Sequence, residues 1–187
     1  MLPNGAALVD EPHDPKSCSG KPSWKVDPMP PRLDAIDRRI LRELMHDGRL
    51  TNVALAQRAG ITPPPCLRRV RALEEAGYIT GYHAIVDETM IGFPVTVFVS
   101  VALHNQSDAD LRAFENACLT WPLVRECYML SGETDYHLKC AAPDLGAFEA
   151  FLRNELAATP NVASIKTAVA IRRAKREPGV PIDIVET

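Results

Sequence analysis

No apolar run in the 187 residues approaches the ~20 needed to span a bilayer, which excludes a helical membrane protein. The N-terminus has no basic segment followed by an apolar core, so nothing there argues for export and a cytoplasmic setting is expected. The five cysteines (Cys18, Cys66, Cys118, Cys127 and Cys140) form no CxxC pair and read as free, buried thiols in a reducing compartment. The histidines (His13, His46, His83, His104 and His137) are dispersed, so spacing supports neither a zinc site nor a catalytic dyad. No metal, cofactor or catalytic residue is expected. Lysine is absent from residues 32–80, where nine arginines face six acids for a local charge of +3. Residues 81–187 carry nine basic and fourteen acidic residues, a local charge of −5. The overall charge of −3 thus hides an asymmetry that fits two domains, one of them facing phosphates.

Residues 1–31 hold seven prolines and almost no apolar periodicity. Such a segment cannot bury enough surface to offset the entropy of ordering, and a disordered extension is expected. Met29 sits just before the patterned region, which leaves a start of translation there as an alternative.

From Leu33 the pattern becomes helical. Asp34 is a cap with Asp37 three positions on, and Ile36, Ile40, Leu41 and Leu44 form an apolar stripe that Gly48 ends. Thr51 caps a second, short helix carrying Val53, Leu55, Ala56 and Ala59, which stops at Gly60. A tight turn then leads into "TPPPCLRRVRALEEAG", so two short helices joined by a Gly-containing turn predict a helix-turn-helix. "YITGYHAIV" is β-rich and predicts a strand leaving this module.

Three consecutive prolines open the recognition helix. With Thr62 as N-cap they occupy the first three helical positions, and Cys66 is the first residue whose amide an internal carbonyl needs. A residue before proline resists the α region, which predicts a stiff, slightly unwound first turn. The Thr62 hydroxyl finds no amide to cap, and phosphates here must be held by side chains rather than first-turn amides. The proline rings offer apolar contact to thymine methyls. Helical phase puts Cys66, Val70 and Leu73 on a packed face and Arg68 and Arg71 on the far side. Arg69 falls at the edge, suited either to a salt bridge with a carboxylate of the first helix or to DNA. Arg68 and Arg71 suit DNA, or a surface pairing with Glu74 or Glu75.

In the second half, "FPVTVFVSVAL" predicts a strand, and Ser107 with Asp110 caps a helix bearing Leu111, Phe114 and Cys118. "VRECYML" and "DYHLKCAA" predict two strands about the turn Ser131–Thr134. Asp144 opens a helix with Leu145, Phe148, Leu152 and Leu156 on one face; Pro160 and Asn161 break it before "ASIKTAVAI", whose Ile165, Thr167, Val169 and Ile171 alternate. The order β-α-β-β-α-β predicts a ferredoxin-like domain.

"LDAIDRRILRELMHDGRLTNVALAQRAGITPPPCLRRVRALEEAGYITGY" closely resembles the helix-turn-helix of the Lrp/AsnC (feast/famine) transcriptional regulators, the leucine-responsive branch above all. "SGETDYHLK" fits that family's Gly-x-x-Asp-Tyr turn, and the likeness runs over about 33–175. It implies an α+β chain. A three-helix, winged-helix-like helix-turn-helix domain at 32–80 is followed by a linker strand or hinge at 81–92. A ferredoxin-like βαββαβ effector and oligomerisation domain at 93–175 and a tail at 176–187 complete it. It also implies a homodimer that assembles to an octamer, binds double-stranded promoter DNA on the nucleoid, and is tuned by an amino acid. The resemblance puts the recognition surface between Thr62 and Arg71, with Thr62, Pro63, Pro64, Pro65, Leu67, Arg68 and Arg71 as candidates, joined by Thr51 and Asn52. It puts the effector at Ser131, Gly132, Glu133, Thr134, Asp135 and Tyr136. Gly132 allows close backbone approach, turn amides suit a carboxylate, and Glu133 or Asp135 suits an ammonium; a plain hairpin turn with solvated acids is the alternative. Siroheme decarboxylase subunits share the family's shape, so an enzyme using His83, His104 or His137 is the competing reading.

Overall fold

The computed structural model describes residues 32–182. The proline-rich extension, Met29 and Cys18 lie outside the described residues. The chain divides into two compact units, one running to Ala84 and taking up the segment from Glu177, the other spanning Ile85–Arg176.

In the first unit, α1 (Ala35–His46) starts at a complete capping box. The Asp34 carboxylate accepts from the amides of Ile36 and Asp37 at 2.8 Å each, and Asp37 accepts from the Asp34 amide at 3.2 Å. These bonds satisfy donors that the helix cannot satisfy itself. α2 (Asn52–Ala59) is capped by the Thr51 hydroxyl, which accepts from the Ala54 amide, and ends at Gly60, whose φ of 75° favours glycine. α3 (Pro63–Glu75) follows after Ile61 and Thr62. Ile40, Leu41, Leu55, Ala56, Ala59, Cys66 and Leu73 form one core, with Val70 and Ile182 packed against it. The last segment therefore adds an apolar anchor to this unit. Val53, by contrast, stays 64% exposed.

The strand expected across "YITGYHAIV" is absent, and residues 79–87 form no regular element. β-propensity alone is not enough, because a strand needs a neighbouring strand to take its amides and carbonyls, and these residues pair with no strand among the described residues.

The second unit is an antiparallel sheet in the order β2-β3-β1-β4, built from β1 (Val95–Leu103), β2 (Val124–Met129), β3 (Tyr136–Ala142) and β4 (Val162–Val169). With α4 (Asp108–Thr120) and α5 (Leu145–Phe151) it has the βαββαβ order. Val97, Val99, Val101, Tyr136, Leu138 and Cys140 alternate onto the face that the helices cover. Phe114 of α4 joins this core, its ring 4.6 Å from Tyr136 and edge-on to Trp121 at 5.9 Å.

Two irregularities change which residues face inward. Leu145, expected in the buried stripe, is 56% exposed, whereas Phe151 is buried. A π turn (Leu152–Leu156) follows α5, with the Ala157 amide bonding the Leu152 carbonyl. In a regular α-helix Leu156 would stand about 140° round from Phe151. The wider turn brings it back to the same side, fully buried. In β2, Val124 registers with Cys140 but Glu126 with Lys139, so Arg125 is a bulge. The uniform burial expected of the thiols also fails: Cys66, Cys118 and Cys140 are buried, but Cys127 is exposed on this edge strand.

Replacing Phe114 by Ala is expected to lower stability by about 3–5 kcal/mol, because it opens a cavity among aromatic neighbours that cannot collapse to fill it. Urea unfolding checks this, with a lower midpoint at unchanged slope as the expected result.

Candidate nucleic-acid interface and effector turn

The prolines of α3 sit where helix bookkeeping tolerates them. The helix runs from Pro63, and the Cys66 amide donates to the Thr62 carbonyl at 3.2 Å, the first internal bond the helix requires. The expected unwinding of the first turn is not observed, because each proline ring already holds φ near the helical value. Thr62 makes no capping bond with its side chain. Thr62 and Pro64 are exposed, while Pro63, Pro65 and Leu67 are half-buried.

A contact invisible in the sequence holds this tip. Asn52 Nδ2, at the start of α2, donates to the Pro63 carbonyl at 2.8 Å. The Asn52 Oδ1 atom is buried without a partner, so this side chain is committed inside the helix pair rather than offered outward. Thr51 beside it is exposed, with its hydroxyl used as the α2 cap.

The three arginines of α3 separate by phase. Arg69 Nη1 lies 2.7 Å from Asp34 Oδ2 and 2.7 Å from Asp37 Oδ1, bridging the two acids of the α1 capping box. The capping bond to the Asp37 amide, together with the Arg69 guanidinium, holds the Asp34 carboxyl below its ordinary range. The same acids raise the Arg69 guanidinium further above its already high value. Arg68 and Arg71 are exposed and take part in no ion pair among the described residues. The pairing with Glu74 is not made; Glu74 instead accepts from the Tyr82 hydroxyl at 2.9 Å. The outer face of α3 thus presents two uncompensated guanidinium groups beside an amide-poor tip.

The 131–136 turn is more divided than its sequence suggests. Ser131, Gly132 and Glu133 are exposed, and the amides of Ser131 to Thr134 bond to none of the described residues. Gly132 has φ 157°, and nothing lies within 4 Å of where its Cβ would stand. Asp135 is engaged structurally: its Oδ2 accepts from the Leu103 amide at 2.7 Å, and its own amide donates to the Val101 carbonyl. It ties the turn to the end of β1. Tyr136 is 1% exposed, with its hydroxyl 3.3 Å from the Leu111 carbonyl and 3.2 Å from Glu115 Oε1. Burial and then the Glu115 carboxylate push that phenol above its usual value. The expectation that Tyr136 faces a ligand is therefore corrected, because its side chain fills the core between β3 and α4.

The other sheet face carries no helix of this unit. His137 stacks on Phe98 with centroids 5.6 Å apart, and its Nδ1 lies 3.2 Å from the Ser100 hydroxyl. Lys139 pairs with Glu126, whose carboxyl is lowered by that lysine and by the Tyr128 hydroxyl. Among the described residues no group of three His, Cys, Asp or Glu is arranged to hold a metal ion. No helix there is long and apolar enough to cross a membrane.

Residues 33–80 match the family model of the winged helix-turn-helix DNA-binding domain, and residues 96–180 match that of the Lrp/AsnC ligand binding domain. The chain is 53% identical over 143 residues to the leucine-responsive regulatory protein of Rhizobium meliloti, covering 76% of this chain and 92% of the relative. It is 43% identical over 150 residues to the Bkd operon transcriptional regulator of Pseudomonas aeruginosa, covering 80% and 98%. Among solved structures it is similar to a transcriptional regulator from Neisseria meningitidis in complex with L-Met. That match has a TM-score of 0.78 at 31% identity over 82% of this chain and 99% of the other. It is also similar to an AsnC family regulator from Agrobacterium tumefaciens, with a TM-score of 0.77 at 33% identity over 82% and 100%.

Replacing Arg69 by Ala is expected to reduce stability by about 1 kcal/mol at pH 7, since the ion pair is only partly shielded from water. Asp34 has a folded pKa below its unfolded value, so its contribution is complete above about pH 4 and lost as pH falls through the lowered pKa. The gap between wild type and variant should therefore shrink between pH 7 and pH 3, as read from paired urea titrations.

Proposed function

We propose, from the premise that this chain belongs to the Lrp/AsnC family of transcriptional regulators, that α3 reads promoter DNA and an amino acid at the 131–136 turn tunes that binding. The observation that carries the DNA reading is the division of labour on α3: Arg69 is locked to α1, while Arg68 and Arg71 are exposed without an ion pair among the described residues. In the major groove such side chains bind guanine edges or phosphates. Thr62, with a hydroxyl no amide uses, and the Pro63–Pro65 rings form the apolar tip beside them. Thr51 is the further contact; Asn52 acts by holding Pro63 in place.

The amino-acid reading is supported by the relative bound to L-Met and by the turn itself. Its open amides suit a carboxylate, and exposed Glu133 suits an ammonium. Asp135 contributes by anchoring the turn. The turn lines neither the cavity at Thr96, Phe98 and Arg173 nor the one at Phe93, Pro122 and Ala141, and a second copy over the turn would enclose a ligand there. Assembly has its own support: the sheet face bearing Phe98 and Tyr128 has no helix of its unit over it and suits pairing into a homodimer, which in turn assembles to an octamer. A promoter-bound regulator of this kind works in the cytoplasm, on the nucleoid.

Gel-shift titration over a salt series tests the DNA reading. Arg68→Ala and Arg71→Ala should each weaken specific binding by about 1–3 kcal/mol if they contact bases, or lower the salt slope by about 1 if they contact phosphate. Wild-type binding by both variants would remove this face from the interface. For the effector, calorimetric titration of L-amino acids into Glu133→Gln should show affinity at least tenfold below wild type. An unchanged affinity would take Glu133 out of the site.

A further inference from the structure

Two thiols come together in the second unit. Cys118 is buried in the last turn of α4, Cys127 is exposed on β2, and their sulfurs lie 3.7 Å apart. The Arg125 bulge makes this approach possible. With an unbroken period of two, Glu126 would stand beside Leu138 on the helix-covered face and Cys127 beside His137 on the open one. The extra residue exchanges them: Glu126 meets Lys139, and Cys127 registers with Leu138, on the side of α4.

The two sulfurs differ chemically. The hydrogen bond that Cys127 shares with Cys118 lowers the Cys127 thiol below its ordinary value, against the opposing effects of burial and the Glu115 carboxylate. The same hydrogen bond, and then burial, raise Cys118. Cys127 is thus the thiol that ionises first, and Cys118 keeps its proton. Cys140, pushed up to about 11 by burial, is the inert third thiol of the group.

We propose that Cys118 and Cys127 form a redox-sensitive dithiol that a hydroperoxide converts to an intrachain disulfide. The Cys127 thiolate attacks one oxygen of hydrogen peroxide and the O–O bond breaks, leaving a sulfenic acid and a hydroxide that takes a proton from solvent. The Cys118 sulfur then attacks the sulfenic sulfur. The S–S bond forms, the S–O bond breaks, and the Cys118 proton leaves with the hydroxyl as water. Two electrons pass from the thiols to the peroxide, and a small-molecule dithiol reverses the change. The sulfurs have to close from 3.7 Å to about 2.05 Å, a movement that an edge strand permits. In the oxidised form β2 is tied to α4 four residues before Ser131, while the Tyr136 hydroxyl already meets α4 at Leu111 and Glu115 beyond the turn. Both flanks of the turn are then held by one helix.

The full chain, reduced and then exposed to excess hydrogen peroxide, is alkylated and mapped with trypsin without reduction. Cleavage after Arg112, Arg125, Lys139 and Arg153 puts Cys118, Cys127 and Cys140 on three separate peptides. The expected product is one disulfide joining the Cys118 and Cys127 peptides within a single chain, with two thiols lost and both restored by dithiothreitol. Cys127→Ser, folded by circular dichroism, should give no such product and consume peroxide at least tenfold more slowly. Cys118→Ala should leave Cys127 as a sulfenic acid that dimedone traps. The idea is overturned if both thiols remain alkylatable, if the bridge reaches Cys140 or a second chain, or if Cys127 over-oxidises in wild type without forming the link.

Discussion

The Arg69 guanidinium organises the helical unit. It meets Asp34 and Asp37, which are also the two acids of the α1 capping box. One charge on α3 thereby rests on the carboxylates that start α1, so the rotation of α3 about its axis and the beginning of α1 are set together. With Arg69 turned inward, helical phase leaves Arg68 and Arg71 on the opposite side. The Asn52 bond to Pro63 fixes the other end of α3 against α2. A helix held at both its tip and its middle presents its outer side chains with little freedom to reorient.

The proline tip follows from the same economy. Three amides are missing where no helix bond needs them, and Cys66 resumes the ladder at once. The first turn gains rigidity but gives up the amides that usually bind anions at a helix start. Any phosphate met here must be held by side chains. That is consistent with a tip of prolines and threonine backed by arginines.

In the sheet unit, single-residue changes of phase decide what faces what. The bulge at Arg125 hands Glu126 to Lys139 and Cys127 to the α4 side. The π turn after α5 returns Leu156 to the side of Phe151. Both depart from strict period, and each places a group that a regular strand or helix would have directed elsewhere. The 131–136 turn shows a related division. Asp135 and Tyr136 act in the framework, one on the end of β1 and the other in the core. Exposure is left to Ser131, Gly132 and Glu133.

Much of the fold was legible in the sequence alone because the signals are local. Caps at Asp34, Thr51, Ser107 and Asp144, the tolerance of prolines before Cys66, and the alternation along β1 and β3 depend on neighbours within about four residues. Helical phase alone sent Arg68 and Arg71 outward, and it left Arg69 between two partners. Tertiary structure decided the rest. Which acids Arg69 met, that Asn52 reached Pro63, that Tyr136 lay inside, and that Cys127 approached Cys118 are contacts between distant segments. So is the missing strand after α3, since a strand exists only with a partner beside it. Sequence period describes one element at a time; a bulge, a π turn or a pairing partner is fixed by packing, which local pattern does not record.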